Sequence, residues 1–390
     1  MSSVLACFVL CCTLQLGQSS VASFVVGNRK FDHLWKTKRN MPGKRSDMTA
    51  TTVDDAIYII GGCVLDQIWV NDPPYSEYRC GGGSANAITN STLRYFPKTN
   101  SFDTALPAAP RPRYRHAAAA LDKKIYLFGG TGESGSIVEH VDVFDTVSGT
   151  WTTLVDAMPS ASTDLSAFTY SGKIYVVGGY DASWRALNTV QIFNRLRTPT
   201  WETGPQLLQG RGDAFSAVVG NNAYMVGGFH DENNFVSPVA DLEMLDLAVG
   251  TAWVAKSNMS LARGDKAVAT LNDILHVVGG ETKNVQGHSV PLRDVEAYDP
   301  ITNAWHFGGD IPSERFRFVA SAYGSSIYIF GGQGYLIGQH GSDGSKYPVV
   351  DIVEEYSETV TAADASMSVS MFAPSASSVV VVSVMLSILS

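Results

Sequence analysis

The chain has 390 residues, 45% of them hydrophobic and only 17% charged, a balance that excludes disorder as its main state. Its formal net charge of -9 leaves too few Lys and Arg for the broad basic face that a phosphate backbone requires, which excludes nucleic acid as a partner. The length alone would suit two or three ordinary domains, but one repetitive fold absorbs it without a boundary.

Residues 1–22 contain no charged side chain, carry an apolar run from Val4 to Leu16 and end in Ser20-Val21-Ala22, small at both ends as signal peptidase requires. They read as a signal peptide whose cleavage removes Cys7, Cys11 and Cys12. That leaves Cys63 and Cys80 as the cysteines of the mature chain. In an oxidising compartment this pair is expected to form a disulfide, restricting the unfolded chain by roughly 3 kcal/mol in the loop-entropy picture. Asn90-Ser91-Thr92 and Asn258-Met259-Ser260 are glycosylation sequons in keeping with secretion.

Between the ends one phrase recurs six times. An apolar, β-branched or aromatic run closes on Gly61-Gly62, Gly129-Gly130, Gly178-Gly179, Gly227-Gly228, Gly279-Gly280 and Gly331-Gly332, at spacings of 68, 49, 49, 52 and 52 residues. Each run reads as a buried strand that stops where the backbone needs positive φ or close approach. Second runs follow at Leu93 to Phe96, Val141 to Phe144, Val190 to Phe193, Leu242 to Leu245, Val295 to Tyr298 and Val353 to Tyr356. Third runs carry Phe102, Trp151, Trp201, Trp253 and Trp305. The sixth aromatic, Trp35, lies before the first repeat, so the N-terminal segment is expected to complete the last repeat and close a ring.

At the other end, residues 359–390 combine a polar spacer with the apolar tail Val379 to Ser390, too short to span a bilayer. The layout is that of a glycolipid-anchor signal with attachment near Asp364; a freely secreted C-terminus is the alternative. The membrane enters as a partner only through that anchor. Secretion or the outer face of the plasma membrane is the expected location.

The Arg start, apolar strand, Gly-Gly, Val-Glu-x-Tyr-Asp and closing Trp resemble the kelch repeat of β-propellers, over about Phe31 to Tyr356. The resemblance implies an all-β, six-bladed propeller over residues 23–358 whose last blade is closed by an N-terminal strand. Phe102 in place of Trp, His276 in place of Tyr and the Cys-bearing insertion in the first repeat are departures from the pattern.

Sixteen positions before each glycine pair stand Arg45, Arg113, Ser162, Arg211, Arg263 and Arg315; two positions later stand Asp47, Arg115, Asp164, Asp213, Asp265 and Arg317. Period-two geometry would put both members of each pair on one face at the start of the innermost strand. These residues are the candidate ligand-binding set, at the end walled by the loops 63–90, 229–238, 281–291 and 333–348. Arg at the first position also resembles the family repeat, where Arg-Asp pairs between blades have a structural use. Arg211-Gly212-Asp213 spells an adhesion tripeptide, but it falls where the repeat already requires Arg. His116, His230, His288 and His340 share no metal-binding spacing, so neither metal nor cofactor is expected.

Three functions compete. The first is an extracellular or cell-surface module that binds a glycan or a protein through the loop-walled end. The second is a sugar-acting enzyme similar to sialic-acid epimerases or mutarotases, with the Arg ring holding a carboxylate and Glu281, Asp181 or Asp231 donating a proton. A copper oxidase resembling galactose oxidase is the third, weakened because both mature cysteines fall in one loop. No spacing singles out a catalytic residue.

Overall fold

The computed structural model describes residues 22–72, 75–198, 200–230, 238–285, 289–334 and 347–363. Residues 1–21, which hold all but the last residue of the expected signal peptide, and residues 364–390 lie outside the described residues, as do Asp231, His288 and His340.

Six antiparallel sheets follow one another in chain order, as the repeats require. The first blade consists of Thr49–Val53, Ala56–Ile60, Thr92–Phe96 and Ser101–Asp103. Its successors open with Ala117–Leu121, Ser166–Tyr170, Phe215–Val219, Ala267–Leu271 and Val319–Tyr323, and neighbouring opening strands pack side by side round one axis. The runs that end in Gly-Gly are the second strands, and their side chains are almost wholly buried: Ile57, Ile59, Ile125, Leu127, Ile174 and Ile329 have no exposed surface. Each lies between two neighbours in its own sheet and between two blades, so both faces are covered and the strand is apolar throughout.

The glycine pairs are explained by what meets them. A Cβ on the first glycine of each pair would lie 2.2–2.9 Å from the carbonyl oxygen of Arg113, Ser162, Arg211, Arg263, Arg315 or Arg45 of the next blade. The N–H of the second glycine donates to that same carbonyl, from Gly62 to Arg113 at 2.9 Å through to Gly332 and Arg45 at 2.9 Å. Any side chain there would push adjacent blades apart.

The closing aromatics fix the outer edge of each blade. The indole N–H of Trp151 donates to Pro107 O at 3.0 Å, that of Trp253 to Pro205 O at 2.9 Å and that of Trp305 to Ser257 O at 2.7 Å, each reaching the preceding blade.

Ring closure occurs as the misplaced Trp35 suggests. Arg29–Thr37 pairs antiparallel with Val353–Ala362, with Trp35 opposite Tyr356, and Ala22–Val26 adds a fifth strand outside it. Phe24, Val26 and Phe31 then pack onto Ile274 and Ala297 of the fifth blade, so the N-terminal hairpin binds two blades at once.

A chain beginning at Lys38 would bare the edge of Val353–Ala362 and lose the burial of Phe24, Phe31 and Trp35, a deficit of roughly 5 kcal/mol or more. Such a chain is expected to lose its cooperative melting transition and to self-associate, as read by calorimetry and size exclusion. A monomer with an unchanged midpoint would refute closure as a requirement.

Candidate functional site

The two residue sets that sequence spacing put on one face are separated by the structure. Asp47, Arg115, Asp164, Asp213, Asp265 and Arg317 all have φ between 49° and 57°. This left-handed turn ends the extended conformation two residues before the innermost strand, and the i and i+2 side chains diverge. The first set points back into its own blade, the second to the ring axis.

The first set is structural wiring. Arg45, Arg113, Arg211, Arg263 and Arg315 each donate from Nη1 to the carbonyl of the first glycine of their own blade, at 3.0–3.4 Å, and Ser162 Oγ does the same to Gly178 O at 3.1 Å. Arg113 also pairs with Asp142, Arg211 with Glu243 and Arg315 with Glu354; Arg263 pairs with Asp294 at 2.5 Å and Glu296 at 2.6 Å. These pairs lie within a blade, not between blades as the family resemblance implied. In the third blade Ser162 replaces Arg and the carboxylate position holds Gln191. In the first blade that position is Leu93, and Arg45 turns instead to Ser91 Oγ at 3.1 Å. Burial pulls Arg45 and Arg113 down to about 10, so both stay cationic at neutral pH.

The second set forms a closed circle of backbone hydrogen bonds. Arg115 N–H donates to Asp47 O at 2.9 Å, Asp164 to Arg115 at 2.8 Å, Asp213 to Asp164 at 3.1 Å, Asp265 to Asp213 at 3.2 Å, Arg317 to Asp265 at 2.8 Å and Asp47 to Arg317 at 3.0 Å. Four carboxyls and two guanidiniums therefore crowd one axis. Arg317 pairs with Asp265 at 3.0 Å and Arg115 with Asp164 at 3.6 Å, both across blade boundaries. Burial opposes both guanidinium charges, but the surrounding carboxyls overcome it and hold Arg115 and Arg317 above the ordinary range. Asp213 goes the other way: burial, reinforced by Asp164 and Asp265 beside it, pushes its carboxyl well above the usual range. Tyr180 O–H donates to Asp213 Oδ2 at 3.2 Å, and the buried Lys266 Nζ to Asp213 O at 3.1 Å.

The disulfide joins Cys63 and Cys80, with Cα atoms 5.6 Å apart, and fixes what covers this circle. Cys63 is bridged to Ser46, next to Asp47, and Cys80 lies opposite Gln67 in the hairpin Gln67–Asp72 and Tyr75–Cys80. Gln67 is thereby held over the axis, where Nε2 donates to Asp47 Oδ2 at 2.6 Å. Its Oε1 accepts from Arg317 at 2.7 Å and from Arg115 at 3.3 Å. The sequence singled out the insertion but not Gln67; its place opposite Cys80 in a hairpin was the available signal. Gln333 adds an acceptor for Arg317 at 3.2 Å, and the Trp184 ring lies 5.5 Å from the Arg115 guanidinium. Among the described residues two openings remain along the axis: one of about 40 Å³ among the charged side chains, bordered by His116 and Phe215, and one of about 130 Å³ beneath it, lined by Thr49, Ser166 and Ser216 of the opening strands; each has room for a few waters or more. Arg211 and Asp213 of the adhesion tripeptide are both buried, and a Cβ on Gly212 would lie 2.0 Å from the Tyr180 ring. Of the sequons, Asn258 is exposed, whereas Asn90 is half-buried with its amide on Ala109 O at 2.9 Å.

Six four-stranded or larger sheets, each with a Gly-Gly pair and a closing aromatic and five of them wired by an Arg, define a β-propeller of the kelch type. Residues 77–339, more than half of the chain, match the Attractin/LZTR1 beta-propeller family, and the chain belongs to that family. It is 29% identical over 310 residues to Kelch-like protein terF of Aspergillus terreus, covering 74% of this chain and 61% of that protein. To Kelch repeat protein M-T8 of Myxoma virus it is 26% identical over 224 residues, 57% of this chain and 42% of the viral one. The chain thus spans about half the length of the curated relatives it matches. Among solved structures, that of YjhT superposes with a TM-score of 0.65 at 16% identity, over 83% of this chain and 99% of the other, a likeness of fold.

A raised carboxyl pKa means that Asp213 favours folding below its unfolded value near 3.8, and that this contribution fades as pH rises toward its folded value. Asp213→Asn is therefore expected to melt at or above the wild-type temperature at pH 7–8 and to lose that advantage toward pH 4. Thermal denaturation across pH checks this; a variant destabilised by a constant amount at every pH would show that Asp213 carries its charge.

Proposed function

We propose that the protein is an extracellular or cell-surface binding module that recognises a glycan or protein across the loops of the hairpin-bearing end. The observation that carries this reading is the occupancy of the axis. Its charged side chains meet one another and Gln67, and the openings of about 40 and 130 Å³ left along it are both below the several hundred Å³ of an ordinary small-molecule pocket. Four carboxyls against two guanidiniums also make a poor seat for an acidic sugar. Around the mouth stand groups suited to contact: Ile68 is 54% exposed at the base of the disulfide loop, with Leu65, Trp184 and Val285 on the same end. The leader-like residues 1–22 and the disulfide support an outward-facing location, and the tail supports a lipid anchor.

One observation favours the second reading, a sugar-acting enzyme. Burial, with Asp164 and Asp265 alongside, raises the Asp213 carboxyl beside Tyr180, the direction that a general acid requires. That chemistry needs Gln67 to leave the mouth.

Proton NMR of the protein with neutral and acidic sugars separates the two. Saturation transfer to a bound sugar with anomer exchange at its solution rate, abolished by Ile68→Arg, is the expected result. Accelerated anomer exchange would replace the binding module by the enzyme. Silence with every sugar leaves a protein as the ligand, and the Ile68→Arg surface then identifies it by loss of capture.

A further inference from the structure

Of the eight histidines in the chain, three meet at the seam where the N-terminal hairpin closes the ring, a place that the binding reading does not use. His33 comes from Arg29–Thr37, His276 from Ile274–Val278 of the fifth blade and His306 from Ala304–Asp310 of the same blade. Phe24, which anchors the outermost strand, is held among rings: Phe31 at 4.7 Å and 3°, His306 at 6.1 Å and 20°, His33 at 6.4 Å. His33 also stacks on Tyr356 at 5.2 Å, and a Cβ on Gly309 would lie 2.2 Å from His33 Nε2, so its imidazole is wedged against the backbone of the fifth blade.

We propose that this histidine seam is an acid-sensitive latch: proton uptake by His33 and His306 loosens the N-terminal hairpin from the fifth and sixth blades.

The geometry supplies the mechanism. His33 is 2% exposed, and its Nδ1 has no hydrogen-bond partner among the described residues; His306 Nε2 is in the same position. A proton added to either ring creates a charge without an acceptor in an aromatic pocket. The attraction of an imidazolium for the Phe24 face is the smaller effect, because that gain does not replace the lost water. The negative group that acts most strongly on His33, Glu358, lies directly across from it in the strand pair, but its oxygens are already engaged. Oε1 accepts from Tyr356 O–H at 3.1 Å and faces His276 Nε2 at 3.3 Å, and Oε2 accepts from Asn272 at 2.7 Å.

The other groups facing the seam do not reverse the balance. Burial lowers His33 to about 4; His276 adds to the lowering, while Glu358 and Asp32 only partly oppose it. Burial lowers His306 as well, against a weak pull from Asp299. The outermost strand Ala22–Val26 contributes no titratable side chain. Because the folded values lie below that of free histidine, closure is fully favoured above pH 6.5 and is lost progressively as pH falls toward 4. For His33 alone, a shift from 6.5 to about 4 favours opening roughly 20-fold at pH 5 relative to pH 7.

Hydrogen exchange read by mass spectrometry on the full chain tests the latch, with protection factors corrected for the intrinsic effect of pH. Peptides covering 22–37 and 353–362 are expected to lose protection about 20-fold or more between pH 7 and pH 5, while those of the third blade hold theirs. His33→Gln, neutral at both pH values, is expected to remove most of that difference. An equal loss in every blade, or an unchanged response in His33→Gln, would overturn the proposal. Should that variant fail to fold, carbon NMR titration of the wild-type histidines decides: a His33 that titrates at or above 6.5 refutes the latch, and one that titrates well below it upholds the latch.

Discussion

A closed circle of six backbone hydrogen bonds round the axis, each blade donating to the one before it, is the constraint on which the rest of the molecule depends. It can close only if every blade turns through positive φ at the same residue and if the sixth blade returns to the first. The outer circle, from the glycine N–H groups to the next blade's carbonyls, repeats the demand and is the reason the second strand of each blade ends in two glycines. No single blade can satisfy these groups alone, so stability is a property of the ring. The N-terminal hairpin matters for the same reason: it converts an open arc of sheets into a cycle.

Charge follows from that backbone geometry. Six side chains delivered to one axis in a fixed register have no choice of neighbour: the two Arg pair with Asp across blade boundaries, and burial among like charges raises the Asp213 carboxyl. Asp tolerates the left-handed conformation that the turn imposes, whereas Arg does so less readily, and Arg115 and Arg317 hold it while pairing across blade boundaries. Gln67 completes the set as a neutral donor and acceptor. The disulfide that holds it lies beside the circle, which ties the crosslink to the composition of the axis.

Most of the architecture was legible in the sequence because its causes are periodic. The Gly-Gly pairs, the six alternating runs and the displaced Trp35 each report a contact that recurs in every blade, and the strand swap followed from counting aromatics. The candidate site was legible only as a set of positions. Spacing identified Arg45 to Arg315 and Asp47 to Arg317, but period-two geometry assumed an extended chain, and the single left-handed residue at the axis sends the two sets in opposite directions. Pattern reading detects such a turn poorly when Asp and Arg, not Gly, occupy it. Gln67 escaped because a lone glutamine has no signature, and the cluster of His33, His276, His306 and Glu358 because its members are scattered over more than three hundred residues of chain.

Hydrogen bonds shared round all six blades require the axial circle to open only when the whole ring does. Hydrogen exchange of the amides of Asp47, Arg115, Asp164, Asp213, Asp265 and Arg317 at neutral pH tests it most directly. All six are predicted to exchange with one common protection, equal to that set by global unfolding. A spread in which individual blades release their amides orders of magnitude sooner would mean that the blades are independent units and would contradict the account.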